Sequence, residues 1–229
     1  IEVIPNGVEL EAILSCSIEI KRQVFGFSPQ HIVLTYVGRL APEKNLPFLL
    51  RAFKGVASAY DNARLLLVGD GPEKENLQDN VANMGIADKV HFTGMIHHAD
   101  VPCYLTTADA FLISSTSETF GISVVEAMAA GLPVLGIDSP GIRDIIIDGQ
   151  TGFLSSDDLP SFTAKMARLV SDHELRRQMG VAAFKASETY DIRLTTQSMI
   201  QQYQKLVGLS RTRKNGLRFR INRLFDFWR

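Results

Sequence analysis

Long hydrophobic runs are what the sequence most plainly lacks. No apolar stretch in its 229 residues approaches the roughly 18 needed to cross a bilayer, and the first residues do not read as a signal peptide. Cysteine is scarce too. Cys16 and Cys103 lie far apart and form no CxxC pair, which argues against a disulfide framework or a structural zinc site and fits a reducing cytosol. Charge of either sign is not in excess. Twenty-four Lys and Arg face 25 Asp and Glu, a net charge of −1, so nothing global points to nucleic acid or to a membrane. The usual phosphate fingerprints are missing as well. There is no GxxxxGK[ST], and Gly69-Asp70-Gly71-Pro72 does not complete GxGxxG, which disfavours a P-loop NTPase or an ordinary NAD enzyme. There is no internal repeat and no low-complexity tract. The chain begins at Ile1 rather than Met, inside an apolar run, and reads as a fragment.

What is present is the composition of an ordinary globular protein, 45% hydrophobic and 21% charged. From Ile32 onward, short β-branched runs alternate with helical patterns. Ile32–Val37, Arg64–Val68, Val90–Phe92, Ala110–Ile113 and Pro133–Ile137 are nearly continuous in apolar residues, as parallel strands covered on both faces should be. Between the first two, Leu46, Leu49, Leu50, Phe53 and Val56 recur at helical spacing, with Asn45 placed to cap. Further helices are expected over Pro72 to Met84, Ile122 to Ala130, Leu159–Val170, His173–Glu188 and Leu194–Leu206. Alternation of this kind builds a right-handed, doubly wound parallel sheet. The fold class is therefore α/β and Rossmann-like.

In such sheets, ligands bind outside the carboxyl ends of the strands, so the loops after strands carry the chemistry. The first reads Gly38-Arg39-Leu40-Ala41-Pro42-Glu43-Lys44-Asn45. Arg39 and Lys44 bracket a proline-stiffened turn before a helix, an arrangement suited to a diphosphate. It is equally the pattern of a solvated turn in which Glu43 pairs with a neighbouring cation. The fourth strand is followed by Ser114-Ser115-Thr116-Ser117-Glu118-Thr119-Phe120-Gly121-Ile122-Ser123. Gly121 lets a ligand approach the backbone, and the amides of Gly121, Ile122 and Ser123 at a helix start form an anion site. Glu126, one turn further in, tilts back toward that start and reaches a vicinal diol such as a ribose. The bland alternative leaves Glu126 favouring the helix dipole and Glu118 as a cap-region acid.

Glu118 and Glu126 form an E-x7-E pair within SETFGISVVEAMAAGLPV. With YVGRLAPEKN, LLLVGDGPEKENL, VHFTGMI and GIRDIIIDGQTGFL, in that family's order, the chain resembles the retaining glycosyltransferases of GT-B fold, family 4-like, also called glycosyl transferases group 1. The match runs roughly from Val3 to Met179. The resemblance implies the C-terminal, donor-binding half of a GT-B fold. It implies that Arg39 and Lys44 grip the donor diphosphate and stabilise the leaving charge, and that Glu118 is the acid near the donor sugar. It further implies donor contacts from Gly38, Thr119, Phe120, Gly121 and Ile122, a ribose contact from Glu126, and base contacts from Met95 and Ile96 through backbone. No metal or other cofactor is implied. The expected partners are a UDP-, GDP- or ADP-sugar and the protein's own N-terminal acceptor domain, with no nucleic acid. Transfer would proceed with retention, a phosphate oxygen taking the acceptor's proton. Alternatives are a non-catalytic nucleotide-sugar-binding module, or an epimerase of the same two-domain architecture.

Other residues invite weaker readings. His97, His98 and Asp100 lack metal-ligand spacing and are expected to border the donor pocket. Asp70 reads as a turn residue, Arg143 and Asp144 as local scaffolding, and Gly149 and Gly152 as turn glycines. Domains are expected as residues 1–30, a linker; 31–193, the Rossmann-like domain; and 194–229, a crossing helix plus a basic tail. Between Arg211 and Arg229 seven basic residues face one acid, and Leu217, Ile221, Leu224, Phe225 and Trp228 share a helical face. That tail suits an anionic membrane surface, which makes the expected location cytoplasmic, with contact at the inner membrane face.

Overall fold

The computed structural model of the chain describes residues 3–14, 16 and 22–207. The chain divides into two compact units, Val8–Thr189 and a second composed of Ile1–Gly7 with Tyr190–Arg229. In the second unit a helix spans 192–207. The Asp191 carboxylate accepts from the Arg193 amide and guanidinium at its start, which holds that carboxyl below its ordinary range. The basic tail expected after Ser210 lies outside the described residues.

The larger unit holds a six-stranded, all-parallel sheet: β1 (Ile32–Val37), β2 (Ala63–Val68), β3 (Val90–Phe92), β4 (Ala110–Ile113), β5 (Val134–Ile137) and β6 (Gly152–Ser155), in the spatial order β3-β2-β1-β4-β5-β6. The chain moves one way from β1 and the other way after β4. Because crossovers are right-handed, this reversal sends the connecting helices to opposite faces. On one side α2 (Leu46–Ala59) packs against α3 (Lys74–Asn83) and α7 (Leu159–Ser171), with the Phe48 and Phe162 rings 5.3 Å apart. On the other, α5 (Ile122–Ala129) packs against α8 (His173–Ser187) and α1 (Leu10–Leu14), which also meets α4 (Val101–Leu105). A four-residue helix, α6 (Pro140–Arg143), follows β5. Sandwiched strands need apolar side chains on both faces, and every residue of β4 and β5 is buried. Asp158 and Asp172 cap α7 and α8 by accepting from the Ser161 and Leu175 amides.

All five expected strands form, with Ala63 joining the second and Pro133 left out of the fifth. Three expectations need correction. β6 was not foreseen because Gly152 reads as a turn residue; here it opens an edge strand so close to β5 that a Cβ would strike the Val134 carbonyl. Asn45 makes no side-chain cap. It adopts a left-handed conformation, φ 50°, that ends one turn and lets the next helix begin. Cys16 and Cys103 are bonded to each other, their Cα atoms 5.1 Å apart and 87 residues apart in sequence. Spacing hid the pair because residue 16 folds back beside α4, so the inference of a reducing compartment loses its premise. Among the described residues, no helix is long and apolar enough to cross a membrane.

Candidate functional site

β1 and β4 are neighbours at the point where strand order reverses, and their carboxyl ends open a crevice there. The loop after β1 is anchored by buried Leu40 and Leu46, with a short turn at Pro42–Lys44 between them. The buried Tyr36 hydroxyl donates to the Arg39 carbonyl at 2.9 Å. Burial, with Glu118 and Glu43 nearby, pushes that phenol well above its ordinary value, so it remains a donor. The β2 loop is stitched to the same segment: Leu40 N–H donates to the Asp70 carbonyl and Glu73 N–H to the Leu40 carbonyl. Such closeness demands Gly69, whose φ is +135° and whose Cβ would collide with the Gly38 carbonyl oxygen. From the loop after β4, the Ser114 hydroxyl donates to the Lys44 carbonyl at 2.7 Å and the Ser115 hydroxyl to the Glu43 carbonyl at 3.1 Å. Both serines are buried, so these bonds fix the two loops against each other.

The result is a cleft of about 810 Å³, within the range of small-ligand sites. Gly38, Arg39, Lys44, Met95, Ile96, Glu118, Phe120, Gly121, Ile122 and Glu126 all line it. Of the catalytic and donor-binding residues that the resemblance implies, Thr119 alone lies outside the lining, and it is exposed. Lys44 Nζ stands 2.5 Å from Glu118 Oε1, the two side chains only 23% and 16% exposed. Arg39 is exposed and makes no ion pair among the described residues; neither does Glu43, so Lys44 pairs with Glu118 across the cleft and not with its neighbour. At the start of α5, the Gly121 and Ser123 amides take no backbone hydrogen bond among the described residues, whereas Ile122 N–H donates to the Phe120 carbonyl. One turn in, burial raises the Glu126 carboxyl above its ordinary range, an effect that His98 partly opposes. The crevice thus offers two cations, open amides at a helix start, and a shielded carboxylate. Together these suit a polyanion joined to a hydroxyl-bearing ring.

Sequence reasoning missed several lining groups. Tyr36 and Asp70 border the cleft, as does Val101. Asp70 lies in the loop after β2, ahead of the turn at Pro72 and Glu73, and its carboxylate binds Lys74 Nζ at 2.8 Å and the Gly71 amide, which together hold it below its ordinary range. Its position at the end of the strand beside β1 was the available signal. His98 does border the cleft; His97 and Asp100 do not. No group of three or more His, Cys, Asp or Glu among the described residues is arranged to hold a metal ion. Arg143 pairs with Asp138 at 2.6 Å, away from the lining.

Comparison with known proteins puts this arrangement in context. A family described as glycosyl transferases group 1 matches residues 17–186. The chain is 34% identical over 216 residues to the sulfoquinovosyl transferase of Arabidopsis thaliana, covering 90% of this chain and 41% of that protein. It is also 34% identical over 157 residues to the alpha-monoglucosyldiacylglycerol synthase of Streptococcus pneumoniae, covering 66% of this chain and 36% of that one. The chain therefore spans about two-fifths of the length of these relatives. Among solved structures, the Anabaena HepE protein, in complex with UDP and glucose, superposes with a TM-score of 0.81 at 24% identity, over 89% of this chain and 57% of its own. That likeness is one of fold.

Proposed function

This chain belongs to the glycosyl transferases group 1 family, and on that premise we propose that it is the donor-binding half of a retaining hexosyltransferase. The donor is a nucleoside-diphosphate sugar, and the acceptor is a hydroxyl on a glycan or lipid. A single observation carries the reading: Arg39, Lys44 and the open start of α5 converge on one cleft, with Glu126 a turn beyond. Diphosphate departure develops negative charge, and preorganised cations and amides aimed at it supply the main stabilisation; one such donor contributes about 3–4 kcal/mol. Lys44 and Arg39 take that role. Glu118 borders the sugar, Glu126 accepts hydrogen bonds from the ribose, and a phosphate oxygen on the departing face takes the acceptor's proton, which yields retention. Met95 and Ile96 flank the base. UDP is the first nucleotide to test, because it occupies the Anabaena relative of the same fold. The remaining length of the enzyme, an N-terminal acceptor domain, closes the cleft and excludes water. Residues 211–229, with their seven basic side chains, meet an anionic membrane surface.

Saturation-transfer NMR with UDP-, GDP- and ADP-sugars tests donor binding by this chain. In the full-length enzyme, Lys44→Ala should lower kcat by about 10²–10³ with a much smaller change in donor affinity. Unchanged turnover would remove Lys44 from the chemistry.

A further inference from the structure

We propose that His98 is a specificity-determining residue that, together with Glu126, selects ribose-bearing diphosphates by sharing a single ribose hydroxyl. The inference rests on reading Glu126 as the diol acceptor and adds a second, independent contact to it.

The geometry begins with the turn that carries the histidine. His98–Asp100 form a short turn leading straight into α4. The turn is held by the Asp100 amide donating to the His97 carbonyl at 2.9 Å and by buried Val101, which itself lines the cleft. Cys103, within α4, is tied covalently to Cys16. The imidazole is therefore presented from a fixed base, although the ring itself is open to solvent. Its Nε2 lies 3.9 Å from Glu126 Oε1. That gap is too long for a direct hydrogen bond. An oxygen placed about 2.8 Å from both atoms would subtend an angle of about 90°, which a hydroxyl tolerates when it donates to one partner and accepts from the other. The carboxylate can only accept, and a neutral imidazole protonated at Nε2 donates, so the hydroxyl satisfies both at once.

The chemistry of the pair defines the selection. Glu126 is largely shielded and burial penalises its ionised form, so a ligand hydroxyl that donates to the carboxylate offsets part of that desolvation. A diphosphate without the hydroxyl leaves that carboxylate unpaired, and discrimination from unpaired buried groups is steep. Inorganic pyrophosphate has no ribose hydroxyl, so it engages Arg39, Lys44 and the amides without the bridge between Glu126 and His98.

The test is calorimetric titration of the 229-residue chain with UDP, GDP and ADP, with the 2′-deoxy and 3′-deoxy forms of whichever binds, and with inorganic pyrophosphate. His98→Ala should weaken ribonucleoside diphosphate binding about fivefold, one neutral hydrogen bond's share. It should also narrow the ribo-over-deoxy preference for one of the two hydroxyls and leave pyrophosphate unchanged. His98→Gln, which can still donate, should restore much of the preference. An unaltered preference in His98→Ala, while Glu126→Ala abolishes it, overturns the role of His98 and leaves the donor reading standing. Equal losses for every ligand, pyrophosphate included, also overturn it. If the wild-type chain binds none of the nucleotides, the donor reading itself falls.

Discussion

Lys44 Nζ lies 2.5 Å from the Glu118 carboxylate across the cleft, so the two opposite charges proposed to act on different parts of the donor neutralise each other before any ligand arrives. Buried serines just after β4 hold the backbone of that arrangement, Ser114 to the Lys44 carbonyl and Ser115 to that of Glu43. On the proposed reading, an incoming diphosphate competes with Glu118 for the ammonium and, on winning, frees the acid to turn toward the sugar.

Glu118→Gln should accordingly bind nucleoside diphosphate more tightly than wild type, by up to about fivefold, the range of a partly exposed ion pair. Turnover by the full-length enzyme should fall in the same variant. Isothermal titration with UDP checks the first half. Weaker binding in Glu118→Gln would mean that the acid supports the diphosphate site and does not compete for it.

For Glu126, the proposed ribose contact sets binding against stability. Burial raises its folded-state pKa above the unfolded value, so between the two the native chain holds a proton that the unfolded chain releases. Stability from this group is thus greatest at low pH and declines as pH rises through that window. Above it, an ionised and shielded carboxylate is a net cost. Glu126→Gln should raise Tm at neutral pH by about 1–4 °C while weakening nucleoside diphosphate binding, and its advantage in Tm should shrink as pH falls. Scanning calorimetry between pH 4 and 8 measures this; a variant less stable than wild type at pH 7 contradicts it.

The Cys16–Cys103 bond closes a loop of 87 residues around β1 to β3. Cross-links over loops of that size stabilise by roughly 2–4 kcal/mol. Dithiothreitol should therefore lower the Tm of the chain, and a Cys16→Ser, Cys103→Ser double variant should match the reduced protein and ignore reductant. Two freely reacting thiols in the untreated native chain would contradict the pairing.

Much of this architecture was legible in the sequence, for reasons that differ by element. Buried parallel strands need nearly unbroken apolar runs, so β1, β2, β4 and β5 announce themselves, while the half-buried edge strand β3 shows through Val90 and Phe92. The edge strand β6 does not, because it begins at a glycine chosen for close approach to Val134 and carries a half-buried side chain at Leu154. The cations and carboxylates of the cleft were identifiable because they follow strand ends and crowd a helix start. What links them was not. Tyr36, Ser114 and Ser115 act through carbonyls that adjacent loops supply, and the Lys44–Glu118 pair spans 74 residues. Asn45 misled because a residue ahead of a helix usually caps with its side chain; here its left-handed backbone makes the turn.

The most direct test is a crystal structure of the chain grown or soaked with the nucleoside diphosphate that binds it. Hydrogen-bonding distance from the phosphates to Lys44 Nζ and the Gly121 amide, with Glu118 parted from Lys44 and the ribose hydroxyls on Glu126, is the predicted result. A nucleotide bound away from the β1–β4 crevice, or phosphates held there with the Lys44–Glu118 pair intact, would contradict it.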